Sequence, residues 1–288
     1  MTEQAFTFQG EKGELIGISH HPQESGGNTG VLIVVGGPQT RVGSHRQFVL
    51  LARHLAEKGL PCMRFDYYGM GDSEGREANF LHAAGDIDAA IRQAKVVLNV
   101  DKIALWGLCD AASSMLLWAR QYDNDCVSHM VLLNPWARSE QGEAKTLVKH
   151  YYLARLKDRQ FWRKVLRLEF DVGASLSSLT KNLLAMRGKA HSAETSALAP
   201  STEDNYISHM LQGLRRFTGD ISLIISGQDL TAAEFEQVVA DSTDWQNSIA
   251  SKCSNNHRID AANHTFSSAL WRDEVATKTE AFIKGGQG

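Results

Sequence analysis

The sequence predicts an α/β domain: a mostly parallel central sheet with helices on both faces and a helical insertion late in the chain. Three observations carry this. Short β-branched apolar runs, such as Val31 to Val35 and Ile103 to Trp106, alternate with stretches of helical periodicity. That alternation gives parallel strands buried on both faces. The rhythm stops at Pro135 and resumes at Ile221. The composition, 43% hydrophobic and 22% charged over 288 residues, is that of a globular chain long enough to bury a core without staples.

Taken in order, Ala5 to His20 reads as strands with a turn around Gly10 to Gly13, and Gly26 to Gly30 as a loop. Val31 to Val35 is the first buried strand. Ser44 to Lys58 has apolar residues at 48, 51, 52, 55 and 56, a helical spacing that Gly59 ends. Pro61 to Phe65 is a strand, Asp66 to Gly75 a glycine-rich loop, and Leu81 to Leu98 a long amphipathic helix. Ile103 to Trp106 is the next strand, Ala111 to Gln121 a helix, and Val131 to Leu133 a fourth buried strand. Ile221 to Ser226 is again a strand, with helices at Ala232 to Ala240 and Phe266 to Ile283. Residues 1–134 and 218–288 therefore form the core, and 135–217 a helical cap over the carboxyl ends of the strands. The cap holds 14 Lys and Arg against 8 Asp and Glu, whereas the core holds 16 against 25. The expected molecule is a basic lid on an acidic body.

A net charge of −3 gives no electrostatic reason to expect nucleic acid. No apolar run is long enough for a membrane span, and Met1 to Gln9 lacks the pattern of a secretory signal. The four cysteines, at 62, 109, 126 and 253, form no C-x-x-C pair, which argues against a zinc ribbon or redox motif. The expected setting is a reducing cytoplasm.

The strongest motif is Gly107-Leu-Cys109-Asp-Ala111-Ala112, where a buried strand runs into a helix. A nucleophile elbow has this form: the turn crowds the residues two before and two after the nucleophile, so both must be small. Gly107 and Ala111 satisfy that, with Cys109 at the position usually held by serine. The helix N-terminus beneath it favours a thiolate. The other reading is a buried cysteine at an ordinary junction. Asp229 ends a later strand, and His264 follows 35 residues after it. Nucleophile, acid and histidine then fall in one order, each after a strand. Any one of the 11 histidines alone reads as a surface or capping residue; the set of three reads as a triad.

On these motifs the chain resembles α/β hydrolases with a helical cap. Gly36 to Phe48 (Gly-Gly-Pro-Gln-Thr-Arg-Val-Gly-Ser-His-Arg-Gln-Phe), Arg64 to Ser73, Gly107 to Ala112 and Asn134-Pro-Trp136 are similar to the type 1 exosortase A system-associated hydrolases. That resemblance implies a bacterial locus for exopolysaccharide production and protein sorting to the envelope, and no particular substrate. It also implies an oxyanion hole, with one donor the backbone N–H of Asp110. The second donor normally follows a His-Gly pair. Here that pair is Gly36-Gly37 and Pro38 comes next, without an N–H, so either Gln39 supplies the donor or the hole is rearranged. Arg41 is a candidate contact for an anionic substrate. Trp136, Tyr151 and Tyr152 are candidate substrate residues. Lys145 to Arg167, with eight basic residues, one acid and interleaved aromatics, suits a lid, a membrane surface or a partner.

The function expected from sequence is ester or thioester hydrolysis through Cys109, His264 and Asp229, by way of an acyl-enzyme. No metal or organic cofactor is required. The substrate would be a small acyl compound or acylated saccharide. Alternatives are an acyltransferase using the same acyl-enzyme and a non-catalytic binding scaffold.

Overall fold

The computed structural model describes residues 1–24, 27–37, 39–76, 79–138 and 199–285. The chain divides into two compact units, 1–137 with 200–288, and 138–199. The first unit is described below.

Eight strands make one sheet: β1 (Thr2–Gln9), β2 (Glu14–His21), β3 (Thr29–Val34), β4 (Cys62–Asp66), β5 (Lys102–Leu108), β6 (Val127–Leu133), β7 (Asp220–Gln228) and β8 (Cys253–Asn263). Their order is β1-β2-β4-β3-β5-β6-β7-β8. β2 runs antiparallel to β1 and to β4, and every pairing from β4 to β8 is parallel. In the middle, Val31 lies opposite both Cys62 and Ala104, and Gly107 opposite Leu132. The apolar runs of the sequence are these central strands, and Val31 to Val34 are wholly buried.

Seven helices are described: α1 (Gln47–Glu57), α2 (Ala84–Leu98), α3 (Asp110–Gln121), α4 (Tyr206–Arg216), α5 (Leu230–Ala240), α6 (Thr243–Lys252) and α7 (Ala269–Ile283). Alternation along β5 shows how they cover the sheet. Trp106 meets Phe48 of α1 edge-to-face and donates its indole N–H to Thr279 of α7 at 3.3 Å. Gly107, one residue on and therefore on the opposite face, lies against Met115 of α3.

Two features depart from the sequence reading. The stretch 200–217, expected in the cap, belongs to the core unit. Its helix α4 packs on α3 so closely that a Cβ on Gly213 would fall 1.8 Å from the carbonyl of Leu116. The rest of the expected cap, 139–198, lies outside the described residues. Helix α6 has no counterpart in the sequence reading, and the strand expected before His264, without bounds or an apolar run of its own, is β8. β8 opens Cys-Ser-Asn-Asn-His-Arg, with alternate residues exposed. As the outermost strand it buries little, so it shows no apolar run.

Candidate active site

β5 delivers Cys109 to a sharp turn. Its backbone has φ 64° and ψ −128°, at the N-cap of α3. This region is costly for a side-chain-bearing residue and persists only where the surroundings hold it. The peptide N–H of Cys109 donates to the carbonyl of Leu133 at 2.8 Å, and its carbonyl accepts from the N–H of Trp136 at 3.2 Å. The end of β6 thus clamps the turn on both sides. A Cβ on Gly107 would meet the Met115 sulfur at 2.6 Å and backbone atoms of Ala111 and Ala112 at 3.0 Å, and Ala111 is itself buried. The small residues are there because the turn leaves no room.

Asp229 follows β7 and caps α5. Its Oδ1 accepts from the N–H of Thr231 at 3.2 Å and its Oδ2 from that of Ala232 at 3.0 Å. Oδ2 also meets Nδ1 of His264 at 2.8 Å. The Asp229 side chain is 6% exposed and the His264 side chain 33%. Because a carboxylate only accepts, this contact puts the ring proton on Nδ1 and the lone pair on Nε2. His264 lies just past β8, in a turn held by Asn263. The amide of Asn263 donates to Ser267 Oγ at 2.7 Å and its Oδ1 accepts from the Ser267 N–H at 3.1 Å.

Asn134 joins the two parts. It is buried, at φ 42° just after β6. Its Oδ1 accepts from the N–H of Ser226, and its Nδ2 donates to Ser226 Oγ at 2.9 Å and to the carbonyl of His264 at 3.1 Å. The residue before it, Leu133, holds the N–H of Cys109. The elbow and the histidine turn are therefore fastened to the same point of the chain.

Beside the elbow, Gly36 and Gly37 pass close over the start of α3. A Cβ on Gly36 would lie 2.6 Å from the Ala111 nitrogen. The Gly37 N–H donates to Asp110 Oδ2 at 2.7 Å. Burial pushes the Asp110 carboxyl up, against the N–H groups of Gly37, Ala111 and Asp110 itself and the charge of His264, which pull it down. A cavity of about 580 Å³ opens here, lined among others by Gly37, Gln39, Tyr67, Phe80, Asp110 and Glu203. Burial also pushes the Tyr67 hydroxyl up, reinforced by Asp110, Asp86 and Cys109.

A model of the α/β hydrolase fold matches residues 30–267. The chain belongs to the α/β-hydrolase fold family. Among solved structures, it is similar to the esterase Pf2001 of Pyrococcus furiosus, at 16% identity and a TM-score of 0.63, over 100% of this chain and 94% of that one. It is also similar to the α/β hydrolase GrgF from Penicillium sp. sh18, at 16% identity and a TM-score of 0.62, over 99% of each chain. Est1E from Butyrivibrio proteoclasticus, solved with ferulic acid bound, matches at 17% identity and 0.60, over 98% and 99%. No curated protein sequence matches the chain.

Within this α/β hydrolase the remaining expected site residues fall out unevenly. Gln39 lines the cavity, and its side chain accepts from the Ser44 N–H at 3.1 Å and the Gln47 amide at 3.4 Å. The backbone donor seen next to Asp110 is that of Gly37. Arg41, expected to meet an anionic substrate, is committed elsewhere. Its guanidinium pairs with Asp66 and Asp72, its backbone N–H donates to Asp66 Oδ1, and its carbonyl accepts from the buried Arg64. Burial lowers the Arg41 guanidinium, but Asp72 and Asp66 outweigh it and hold it above the usual value. Arg41 thus pins the loop after β3 to the loop after β4. Trp136, expected to touch substrate, buttresses the elbow with its backbone; its carbonyl also accepts from Ser113 Oγ at 2.7 Å. Tyr151 and Tyr152 lie outside the described residues. Asn134 was seen in the sequence only as part of a motif. A buried polar residue at a strand end was the available signal.

Proposed function

We propose that this α/β hydrolase cleaves an ester or thioester with Cys109 as nucleophile, His264 as base and Asp229 as its partner. The observation that carries the reading is the 2.8 Å contact of His264 Nδ1 with a buried Asp229, on the same sheet edge as a cysteine held at positive φ. Nε2 takes the thiol proton. The thiolate adds to the carbonyl carbon, and its π electrons move onto oxygen. Collapse of that intermediate expels the alcohol or thiol, which receives the proton from His264, and leaves an acyl-cysteine. Water, deprotonated by His264, then releases the acid. Delivery of the acyl group to another hydroxyl instead would make the enzyme an acyltransferase. The motifs at Gly36 to Phe48 and Arg64 to Ser73 support a role beside bacterial exopolysaccharide and envelope-sorting functions, and the cysteine pattern supports a cytoplasmic setting.

Intact-mass analysis after mixing with an activated thioester tests this. The parent should gain one acyl group on Cys109, and Cys109→Ala none. Unchanged turnover in Cys109→Ala rejects the mechanism.

A further inference from the structure

Beside the elbow, the Gly37 N–H is already taken by the Asp110 carboxyl group. We propose that the Asp110 side chain is a built-in plug of the oxyanion hole, which must leave before the tetrahedral intermediate can form. The inference rests on the cysteine reading above and adds a role for a side chain that the reading does not use.

The argument is one of competition for donors. In an elbow the oxyanion is received by the N–H of the residue after the nucleophile and by one from the loop after β3. The loop N–H that reaches the head of α3 is that of Gly37, and Asp110 Oδ2 takes it at 2.7 Å. One N–H cannot serve the carboxylate and a substrate oxyanion at full strength together. The other oxygen, Oδ1, is buried with no hydrogen-bond partner among the described residues, packed where a Cβ on Gly36 would come within 2.1 Å of it. A carboxylate kept only as a structural anchor should have both oxygens satisfied, since an unpaired buried acceptor costs free energy. Asp110 also lines the cavity beside the elbow. An acyl group entering there displaces the side chain and frees the Gly37 N–H for the oxygen it brings.

Two reagents separate this role from a general effect on the thiol. Iodoacetamide alkylates Cys109 by displacing iodide and needs no oxyanion donor. An aryl trifluoromethyl ketone accepts the same thiolate at its carbonyl carbon, and the carbonyl π electrons become a hemithioketal oxyanion that does need one. Removing a negative charge beside the thiol speeds both, so the readout is the ratio of ketone addition to alkylation. Asp110→Ala should raise that ratio about tenfold or more. Asp110→Asn, which still offers Gly37 an acceptor oxygen, should stay near the parent. Asp110→Ser provides the same test if alanine loosens the start of α3. Equal ratios in all variants, or a lower ratio in the alanine and serine variants, overturn the plug. Failure of both reagents to modify Cys109 in any variant removes the triad reading, and the plug with it.

Discussion

The two halves of the proposed site are built from different material. The nucleophile half, β5 and the start of α3, is apolar and tightly packed: Ile103 to Leu108, Ala111 and Ala112 are buried, and Cys109 is held in an unfavourable conformation by backbone bonds from the end of β6. The acid–base half, at the ends of β7 and β8, is polar and stands at the sheet's outer edge. Its histidine is one-third exposed and oriented by hydrogen bonds rather than walls. Position can be fixed by packing, because dense interiors do not yield. A proton-transfer pair must carry charge, and charge is held by hydrogen bonds.

The largest expected effect is on the packed half. Cys109→Ala removes the proposed nucleophile and should lower kcat by roughly 10³-fold or more. Alanine fits a turn that already demands small neighbours, so the melting temperature should stay close to the parent's. Cys109→Ser sharpens the point. A hydroxyl is far less acidic than a thiol, and a site tuned for thiolate should lose roughly 10²-fold. Serine activity on simple esters equal to the parent's would mean that the packing, and not the sulfur, is what the site requires.

Next is the polar half. Asp229→Asn keeps a good N-cap for α5, so stability should fall only slightly. The amide no longer selects the Nδ1–H form of His264, and kcat/KM should drop by roughly 10²- to 10⁴-fold. A large loss of stability with activity per folded molecule retained would show that Asp229 serves the helix and not the histidine.

Asn134→Ala tests the joint between the halves. It removes three hydrogen bonds from a buried position and puts alanine at positive φ. The expected cost is about 2–3 kcal/mol in denaturant unfolding, with a smaller fall in kcat as the His264 turn loosens. Unfolding unchanged within error would mean that the halves are positioned independently.

The same contrast explains what the sequence reveals. Val31 to Val35, Ile103 to Trp106 and Gly107-x-Cys109-x-Ala111 are legible because burial on both faces and steric crowding permit few residue types. The extent of β8 is not legible that way, because an edge strand of Ser, Asn, His and Arg obeys hydrogen bonding that any polar residue satisfies; only its place before His264 is expected. His264 and Asp229 could be singled out by their order along the chain, not by local pattern. α4 was misplaced because its helical spacing records an apolar face without saying which element covers it. The contact of Asp110 with the Gly37 N–H and the pairing of Arg41 with Asp66 and Asp72 depend on side-chain directions that no spacing encodes.

The smallest effect is expected on the outer strand itself. Arg258 on β8 pairs with Glu236 and Asp260, but the three side chains are 45%, 44% and 87% exposed. Water and salt screen such pairs, and fixing a long side chain opposes their attraction, so each contributes about 0–1 kcal/mol. Arg258→Ala should therefore shift unfolding by less than about 1 kcal/mol and leave ester turnover near the parent's. The strand is held to β7 by its parallel ladder, in which Ile224 lies opposite His257 and Ile225 opposite Arg258, and that ladder does not involve the guanidinium. Repeating the unfolding at high salt sharpens the test, since a parent stabilised by these pairs converges on the variant as they are screened. A loss of several kcal/mol in Arg258→Ala, erased by salt, would show that charge and not the backbone ladder secures the edge from which His264 reaches the site.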